Sequence, residues 1–213
     1  MKIALIGATG FIGSVILQEA LDRGHQVTGI ARHIDKLPQH PNLVPLKGDV
    51  TDQKQVTTLV AGHDAVISAY SPGRDAADIF NQQKSGYQTI IAGVKEAGIK
   101  RLLVVGGAGS LEVSPGVQLV DTPEFPEQWK SGSLGTREVL YLLQEEPDLD
   151  WSYLSPSAMI APGERTGKFR LGTDRLLTDA KGESHISVED YAVAMIDELE
   201  NPKHIRQRFT VGY

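Results

Sequence analysis

Three glycines near the start of the chain have the spacing that binds the diphosphate of a dinucleotide. Gly7, Gly10 and Gly13 lie between a short apolar run and an amphipathic segment. In a strand–turn–helix unit the first glycine makes the tight turn, the second lets the backbone approach the diphosphate, and the third allows close helix packing. The helix N-terminus adds amide donors and a positive dipole end. The alternative is a glycine-rich turn without a ligand; the context favours NAD(P) binding.

An arginine follows the second apolar run and indicates which dinucleotide is bound. Proteins specific for NAD carry an acidic residue here that binds the ribose hydroxyls, whereas this chain has Arg32. A guanidinium pairs bidentately with a 2′-phosphate, and His33 and Lys36 add positive charge nearby. The alternative is a solvated surface arginine. We therefore predict a preference for NADP(H), with NAD(H) as the second possibility.

An acidic residue after the third apolar run lies where the adenine ring is expected. Asp49 and Val50 follow Gly48, and the Asp49 carboxylate is able to accept a hydrogen bond from the exocyclic amine of adenine. An aspartate in this position is equally suited to stabilise a turn. Both roles remain open for its side chain.

Two aromatic residues lie in a segment that departs from the regular alternation of elements. The segment Gly106–Ser133 is rich in glycine and proline, and long irregular connections are usually lids or binding loops. Phe125 and Trp129 are candidates to cover a planar substrate ring, or simply to anchor the loop to the core. No metal site is expected, because the chain has no cysteine and its histidines lack the spacing of a ligand pair.

The elements that position these residues are predicted from the alternation of apolar runs and helical patterns. Strands are expected at Lys2–Ile6, Gln26–Ala31, Leu43–Leu46, Asp64–Ala69, Arg101–Val105, Asp150–Leu154 and Arg208–Val211, the last closing the sheet. A helix is expected to end at Gly24, and another to begin at Ser187. This alternation predicts a single α/β domain over residues 1–213, with a Rossmann-type, doubly wound, mostly parallel sheet.

Composition narrows the classes of partner. The formal charge of −6 and the pI near 5.5 disfavour binding to nucleic acid or to an anionic membrane. No run reaches the roughly 18 apolar residues that a membrane span requires, and the N-terminal run is too short for a signal peptide. We expect a cytoplasmic protein that binds small molecules, and the sequence indicates no oligomeric state.

Nearly the whole chain resembles the atypical short-chain dehydrogenase/reductases, specifically the NADH-flavin reductase group close to NmrA-like and biliverdin reductase B proteins. The resemblance rests on GATGFIG, VTGIAR, GDVTD, AGHDAVISA, RLLVVGGAGSLEV, WSYLSPSAMI and ISVEDYAVAMIDELE. It implies cofactor contacts from the following residues: Gly7, Thr9, Gly10, Phe11, Ile12, Gly13, Arg32, Asp49, Val50, Ser68, Ala69, Gly106, Gly107, Pro156 and Ser157.

The resemblance also implies where substrate and catalyst are expected. The nicotinamide is expected against Gly106–Ser110, and a small substrate region over residues 155–213. Relatives commonly place a polar residue near the nicotinamide, and Ser110 is the candidate for that role if the loop register is shifted.

The Tyr-x-x-x-Lys pair of typical short-chain dehydrogenases is missing. No tyrosine is followed four residues later by lysine, and the helix expected at Ser133–Gln144 contains no lysine. That pair protonates a carbonyl oxygen during hydride transfer, so carbonyl reduction and sugar-nucleotide epimerisation are disfavoured. Hydride transfer to a flavin or quinone chiefly needs two stacked rings.

These observations together predict an NADP(H)-dependent oxidoreductase that passes hydride to a planar acceptor such as FMN or a quinone. The alternative is a non-catalytic NADP(H)-binding redox sensor of the NmrA-like type. A sensor would bind the dinucleotide without turning it over.

Overall fold

Strands and helices alternate along the computed structural model, which describes residues 1–73 and 76–213. The strands of this part of the chain are β1 Lys2–Ile6, β2 Gln26–Ala31, β3 Leu43–Lys47, β4 Ala65–Ser68, β5 Arg101–Val105, β6 Glu112–Ser114, β7 Val117–Gln118, β8 Asp150–Ser155, β9 Met159–Ala161, β10 Arg170–Gly172, β11 His185–Ser187 and β12 Gln207–Gly212. The helices are α1 Phe11–Asp22, α2 Gln53–Val60, α3 Ile79–Glu96, α4 Glu127–Gln144 and α5 Val188–Glu200.

The central sheet has the order β10-β12-β8-β5-β4-β1-β2-β3. All neighbouring strands are parallel except β10 and β12. The predicted Rossmann-type α/β fold is confirmed. One detail of the prediction was wrong, because β12 lies inside the sheet and the short antiparallel strand β10 forms its edge. The strand order reverses at β1, and ligands of open α/β sheets bind outside the carboxyl ends of the strands at such a point.

Helices cover both faces of the sheet. Ile3 and Leu5 of β1 belong to a core shared with α1 and α5, whereas Ala4 and Ile6 belong to a core shared with α2, α3 and α4. Alternate residues of a strand point to opposite faces, so a strand buried on both sides reads as a continuous apolar run. Within the ranges described, none of the helices combines the length and hydropathy that a membrane span needs.

The segment after β5 is more regular than its composition predicts. It contains short 3₁₀ turns at Ala108–Ser110 and Leu119–Asp121 and a hairpin of β6 and β7, and α4 begins at Glu127. The expected loop therefore ends several residues before Ser133. The helix expected at Ser133–Gln144 also begins earlier and includes Lys130, although no tyrosine lies four residues before that lysine.

Candidate functional site

A cavity of about 910 Å³ opens at the carboxyl ends of β1, β2, β4 and β5. Its wall includes the turn before α1, the segments that follow β2, β3 and β4, one side of α4, and the chain around β9. A cavity of this volume is in the range that holds a small organic ligand or cofactor. It extends on both sides of the point where the strand order reverses, which is where a dinucleotide binds in this fold class.

The glycine turn between β1 and α1 leaves no room for side chains at two positions. Gly7 has a φ of +81°, and a Cβ there would lie 2.6 Å from the carbonyl oxygen of Ala69. A Cβ on Gly13 would lie 2.1 Å from the carbonyl oxygen of Gly7. Strand and helix are therefore packed backbone to backbone. Gly10 differs, because its nearest neighbour would be the Gly7 oxygen at 3.3 Å and its open side faces the cavity.

Helix α1 begins without a side-chain cap. In α2, α3 and α5 the first amides donate to the side chains of Asp52, Asp78 and Ser187, whereas Gly10 offers no such acceptor and the first turn holds no acidic residue. The first amides of a helix have no acceptor within the helix, and together they form its positive dipole end. These amides lie at the cavity wall, so the α1 terminus fits the diphosphate of a dinucleotide.

Basic side chains line one end of the cavity. Arg32, His33 and Lys36 lie beyond the end of β2, and all three are exposed. Arg32 forms no ion pair with any residue in the ranges 1–73 and 76–213. We call this part of the cavity the cationic end. Its chemistry suits a 2′-phosphate on the adenosine ribose.

Asp49 lies at the same end. Its Oδ1 accepts a hydrogen bond from the Thr51 amide at 3.0 Å, and its own amide donates to the side chain of Gln55. The side chain also lines the cavity. The turn-forming role is therefore observed in the structure, and contact with adenine stays a prediction.

Tyr70 lines the cavity just after β4, and it is not among the site residues predicted from the sequence. Its ring packs edge-on against Tyr87 with centroids 5.9 Å apart, and it occupies space that a side chain on Gly86 would fill. Its hydroxyl donates to the Gln82 carbonyl at 3.3 Å. Burial raises the pKa of Tyr70, Arg32 lowers it and Asp49 raises it, with a net upward shift. Tyr70 is thus a neutral hydroxyl at neutral pH. The one feature of the sequence that could have indicated Tyr70 as a site residue is its position just after a central strand.

The other end of the cavity is formed by β5, α4 and the chain around β9. Trp129, Gly132, Ser133 and Thr136 line it from one side of α4, at the spacing of a single helical face. We call this part the neutral end; it also includes the following residues: Val105, Gly106, Gln128, Ser131, Ala158, Met159 and Ile160. Trp129 lies on a helix rather than on the expected loop.

The cavity brings together many of the predicted site residues, although they are far apart in the sequence. Those that line it are Gly7, Thr9, Gly10, Phe11, Ile12, Gly13, Arg32, Asp49, Val50, Ala69, Gly106 and Trp129. Those outside its lining are Ser68, Gly107, Ser110, Phe125, Pro156 and Ser157.

Hydrogen bonds within the protein explain several of these exclusions. Ser68 is buried and donates to Tyr87 Oη at 3.2 Å, and Ser157 donates to the Val211 carbonyl at 2.9 Å. The Gly107 amide donates to Tyr153 Oη. Ser110, the candidate for a polar group beside the nicotinamide, is 1% exposed, and its hydroxyl accepts from Arg208 at 3.2 Å. The Ser110 hydroxyl is therefore turned into the protein and not toward the cavity.

A second group of polar side chains lies away from the cavity. Asp179, Glu183 and His185 hold potential metal-ligand atoms within 4.8 Å of one another. The sequence spacing did not indicate this group, because a turn brings the three together. The Asp179 carboxylate accepts from the amides of Lys181 and Glu183, which lowers its pKa and accounts for its position.

Comparison with known proteins finds one family whose profile matches most of the chain. The profile of a family described as NAD(P)H-binding matches residues 7–202. The Bacillus subtilis (strain 168) protein YwnB, named as uncharacterized, is 41% identical over 99% of this chain and 98% of its own length.

Two solved structures share the whole fold. A "putative epimerase" from Bacteroides thetaiotaomicron has 49% sequence identity and a TM-score of 0.94, covering 100% of this chain and 96% of that one. A "putative NADH-flavin reductase" from Streptococcus pneumoniae TIGR4 has 34% identity and a TM-score of 0.85, covering 100% of this chain and 99% of that one.

Proposed function

Because this chain belongs to the NAD(P)H-binding family, we propose that it is an oxidoreductase that uses NADPH to reduce a planar acceptor such as a flavin or a quinone. The observation that carries the proposal is one cavity that joins the uncapped start of α1 to a cationic end and a neutral end. Within it, the α1 amides hold the diphosphate, and Arg32 with His33 and Lys36 receives the 2′-phosphate. NADH lacks that phosphate and is the weaker cofactor.

The neutral end holds the nicotinamide and the acceptor. When bound, the nicotinamide supplies a hydride to the acceptor ring, and one proton from water completes the two-electron reduction. The chain's own contribution is to orient the two rings and exclude water, because its tyrosines lack the lysine partner of an acid catalyst. The name of the Streptococcus pneumoniae relative supports a flavin acceptor. The epimerase named for the Bacteroides protein is less well supported, since the chain lacks the Tyr-x-x-x-Lys pair.

A steady-state assay tests this proposal. Purified protein is mixed with NADPH and, separately, with FMN, FAD, riboflavin or menadione, and NADPH oxidation is followed by its absorbance. We expect turnover with at least one acceptor and a higher kcat/KM for NADPH than for NADH. A Gly10→Ala variant, whose methyl group would cover the diphosphate site, serves as the inactive control. NADPH binding without turnover on any acceptor would overturn the proposal.

That outcome would favour the second candidate, a non-catalytic redox sensor. Among the residues described, the neutral end contains no carboxylate, histidine or lysine that would transfer a proton. A sensor requires no such group. It predicts binding of NADP⁺ and NADPH without turnover, and co-purification with a regulatory partner.

A further inference from the structure

Charge is distributed unevenly along the cavity. Its acidic and basic side chains, among the residues described, are Arg32, His33, Lys36 and Asp49, and all four belong to the cationic end that the adenosine half of the dinucleotide occupies. The neutral end is lined by aliphatic, aromatic, hydroxyl and amide groups. A ligand that brings its own negative charge to the neutral end would therefore meet no opposite charge in this lining.

The basic residues of α4 do not line the cavity. Lys130 lies outside the cavity lining, 3.8 Å from Glu127. Arg137 forms an ion pair with Asp121 at 2.7 Å. The start of α4 has no side-chain cap, but Glu127 places a negative charge in its first turn. The start of α4 is therefore not an uncompensated dipole end of the kind that attracts anions.

Large apolar side chains around the cavity are unusually exposed. Phe11 is 48% exposed, Trp129 49% and Met159 58%. Exposed apolar side chains that share one cavity mark a ligand surface, because a bound ring removes them from water. Aromatic and thioether groups pack well on the faces of conjugated rings.

Hydroxyl groups supply the polar complement at the neutral end. Ser131 and Ser133 make no side-chain hydrogen bond with any residue of the described chain, whereas Thr136 donates to the Gly132 carbonyl at 2.7 Å. A serine hydroxyl both donates and accepts, so it pairs with the carbonyl oxygens or ring nitrogens of a neutral heterocycle. Hydroxyls alone compensate a dianionic phosphate poorly.

From these observations we propose that the acceptor is an uncharged conjugated ring, such as a quinone or riboflavin, and that the neutral end discriminates against phosphorylated flavins. The inference rests on the proposed function, because it assigns the neutral end to the acceptor. It makes FMN and FAD poorer acceptors than riboflavin, although all three carry the same redox-active ring. The discrimination comes from the unpaired phosphate and not from the ring itself.

Riboflavin and FMN provide a matched pair of probes, since they differ only in the 5′-phosphate. Each is titrated into protein saturated with NADP⁺, and binding is measured by quenching of flavin fluorescence. We expect riboflavin to bind at least about fivefold more tightly than FMN, a difference of roughly 1 kcal/mol. Equal binding, or tighter binding of FMN, would overturn the inference.

Two variants test the named residues. Met159→Lys puts a cation at an exposed position of the neutral end and removes one apolar contact from both flavins, so it is expected to raise the affinity for FMN relative to riboflavin about fivefold or more. Leu171→Lys is the matched control, because Leu171 is 48% exposed on β10 and lies outside the cavity lining. It should change neither affinity. If both variants shift FMN binding equally, the effect is one of overall charge and the inference fails.

The same experiments separate this inference from the proposed function. Tighter binding of riboflavin than of FMN, without turnover on any acceptor, would contradict the reductase function and support the selectivity of the site. Turnover with FMN at a higher kcat/KM than with riboflavin would leave the reductase function intact and contradict the selectivity.

Discussion

Under the proposed function, Arg32 is the side chain that distinguishes NADPH from NADH. It lies just beyond β2 at the cationic end, and the glycine turn lines the same cavity. Its planar guanidinium offers paired donors that match a phosphate, whereas the hydroxyls of an unphosphorylated ribose gain less from it. The proposed preference for NADPH therefore depends on one charge-assisted contact.

Replacing Arg32 by alanine should weaken NADPH binding selectively. We expect the Kd for NADPH to rise about tenfold to 100-fold, since loss of a charge-assisted bidentate pair costs roughly 1.5–3 kcal/mol. The Kd for NADH should change by no more than about twofold. Isothermal titration calorimetry measures both. Arg175→Ala, at an exposed position outside the cavity lining, is the control. An equal loss for both dinucleotides would contradict a role for Arg32 at the 2′-phosphate.

Local motifs were predictable at the residue level, and contacts between distant segments were not. Gly7 and Gly13 were identified because their steric role depends only on the strand, turn and helix that surround them. Tyr70, Ser133 and Met159 were missed, because each reaches the cavity through a different element and no spacing links them. Ser110 was expected near the nicotinamide, but its contact with Arg208 comes from the distant strand β12.

At the level of elements, some helices have a side-chain N-cap and others do not. The side chains of Asp52, Asp78 and Ser187 accept hydrogen bonds from the first amides of α2, α3 and α5. The first turns of these helices are therefore stabilised within the protein. The start of α1 lacks both a cap and an acidic first-turn residue. An N-cap contributes about 1 kcal/mol, so its omission at a cavity wall is consistent with selection for ligand binding.

Alanine substitutions at Gly10 and Gly13 should have different effects. Gly13→Ala forces a methyl group to within 2.1 Å of the Gly7 oxygen and should destabilise the fold by about 1–3 kcal/mol or more. Its melting temperature should fall by roughly 2–12 °C.

In Gly10→Ala the new methyl group would lie 3.3 Å from the Gly7 oxygen, with no other atom as near. This variant should melt within about 2 °C of the parent while losing NADPH affinity. Differential scanning calorimetry and titration separate the two. Equal stability losses would contradict the distinction.

The first turn of α5 contains a buried carboxylate that binds a loop and the residue after β12. Asp190 is fully buried and accepts hydrogen bonds from the Thr166 and Gly167 amides and from the hydroxyls of Thr166 and Tyr213, all within 2.8 Å. Burial raises its pKa, but these hydrogen bonds outweigh burial and hold the pKa below its usual value. The ionised form is thus the one that stabilises the fold.

An Asp190→Asn variant should be less stable than the parent by about 1–3 kcal/mol at pH 7. The sign follows from the lowered pKa: the contribution is complete above the unfolded-state pKa of about 3.9 and is lost as pH falls through the lower folded-state pKa. Urea unfolding at pH 7 and near pH 3 should therefore show the difference between parent and variant shrinking in acid. Asp35→Asn, at an exposed position, is the control. A difference independent of pH would contradict this assignment.

Strands were easier to predict than their order or the start of α4. Buried parallel strands are continuous apolar runs, which is why β1, β2 and β5 were found with correct bounds. The edge position of β10 depends on pairing with β12 from far along the chain, and a run of three residues carries little signal. The first turn of α4 has few apolar residues, since it faces the cavity rather than the core.

For the molecule as a whole, the cavity joins segments from across the chain. Its wall combines residues from β1 to β9, so ligand binding links elements that otherwise meet only through the two cores. A ligand that binds the folded state alone stabilises it by mass action.

Saturating NADPH should therefore raise the melting temperature of the entire domain. At about 100 times its Kd the expected gain is roughly 2.7 kcal/mol, or about 5–11 °C for a chain of this size. Scanning fluorimetry with and without NADPH measures the shift. The Gly10→Ala variant should show little of it. Absence of a shift in the parent protein at millimolar NADPH would contradict dinucleotide binding in the cavity.

The unequal distribution of charge along the cavity has a consequence for buffer conditions. Positive groups at one end attract phosphates through a field that mobile ions screen, with a Debye length of about 10 Å at 0.1 M salt. Raising the ionic strength should therefore weaken the hold on NADPH while leaving a neutral quinone almost unaffected. If the net charge of −6 dominated, added salt would screen repulsion between the chain and NADPH, and NADPH would bind more tightly. The sign of the salt dependence therefore shows whether the local positive charge or the overall negative charge governs NADPH binding.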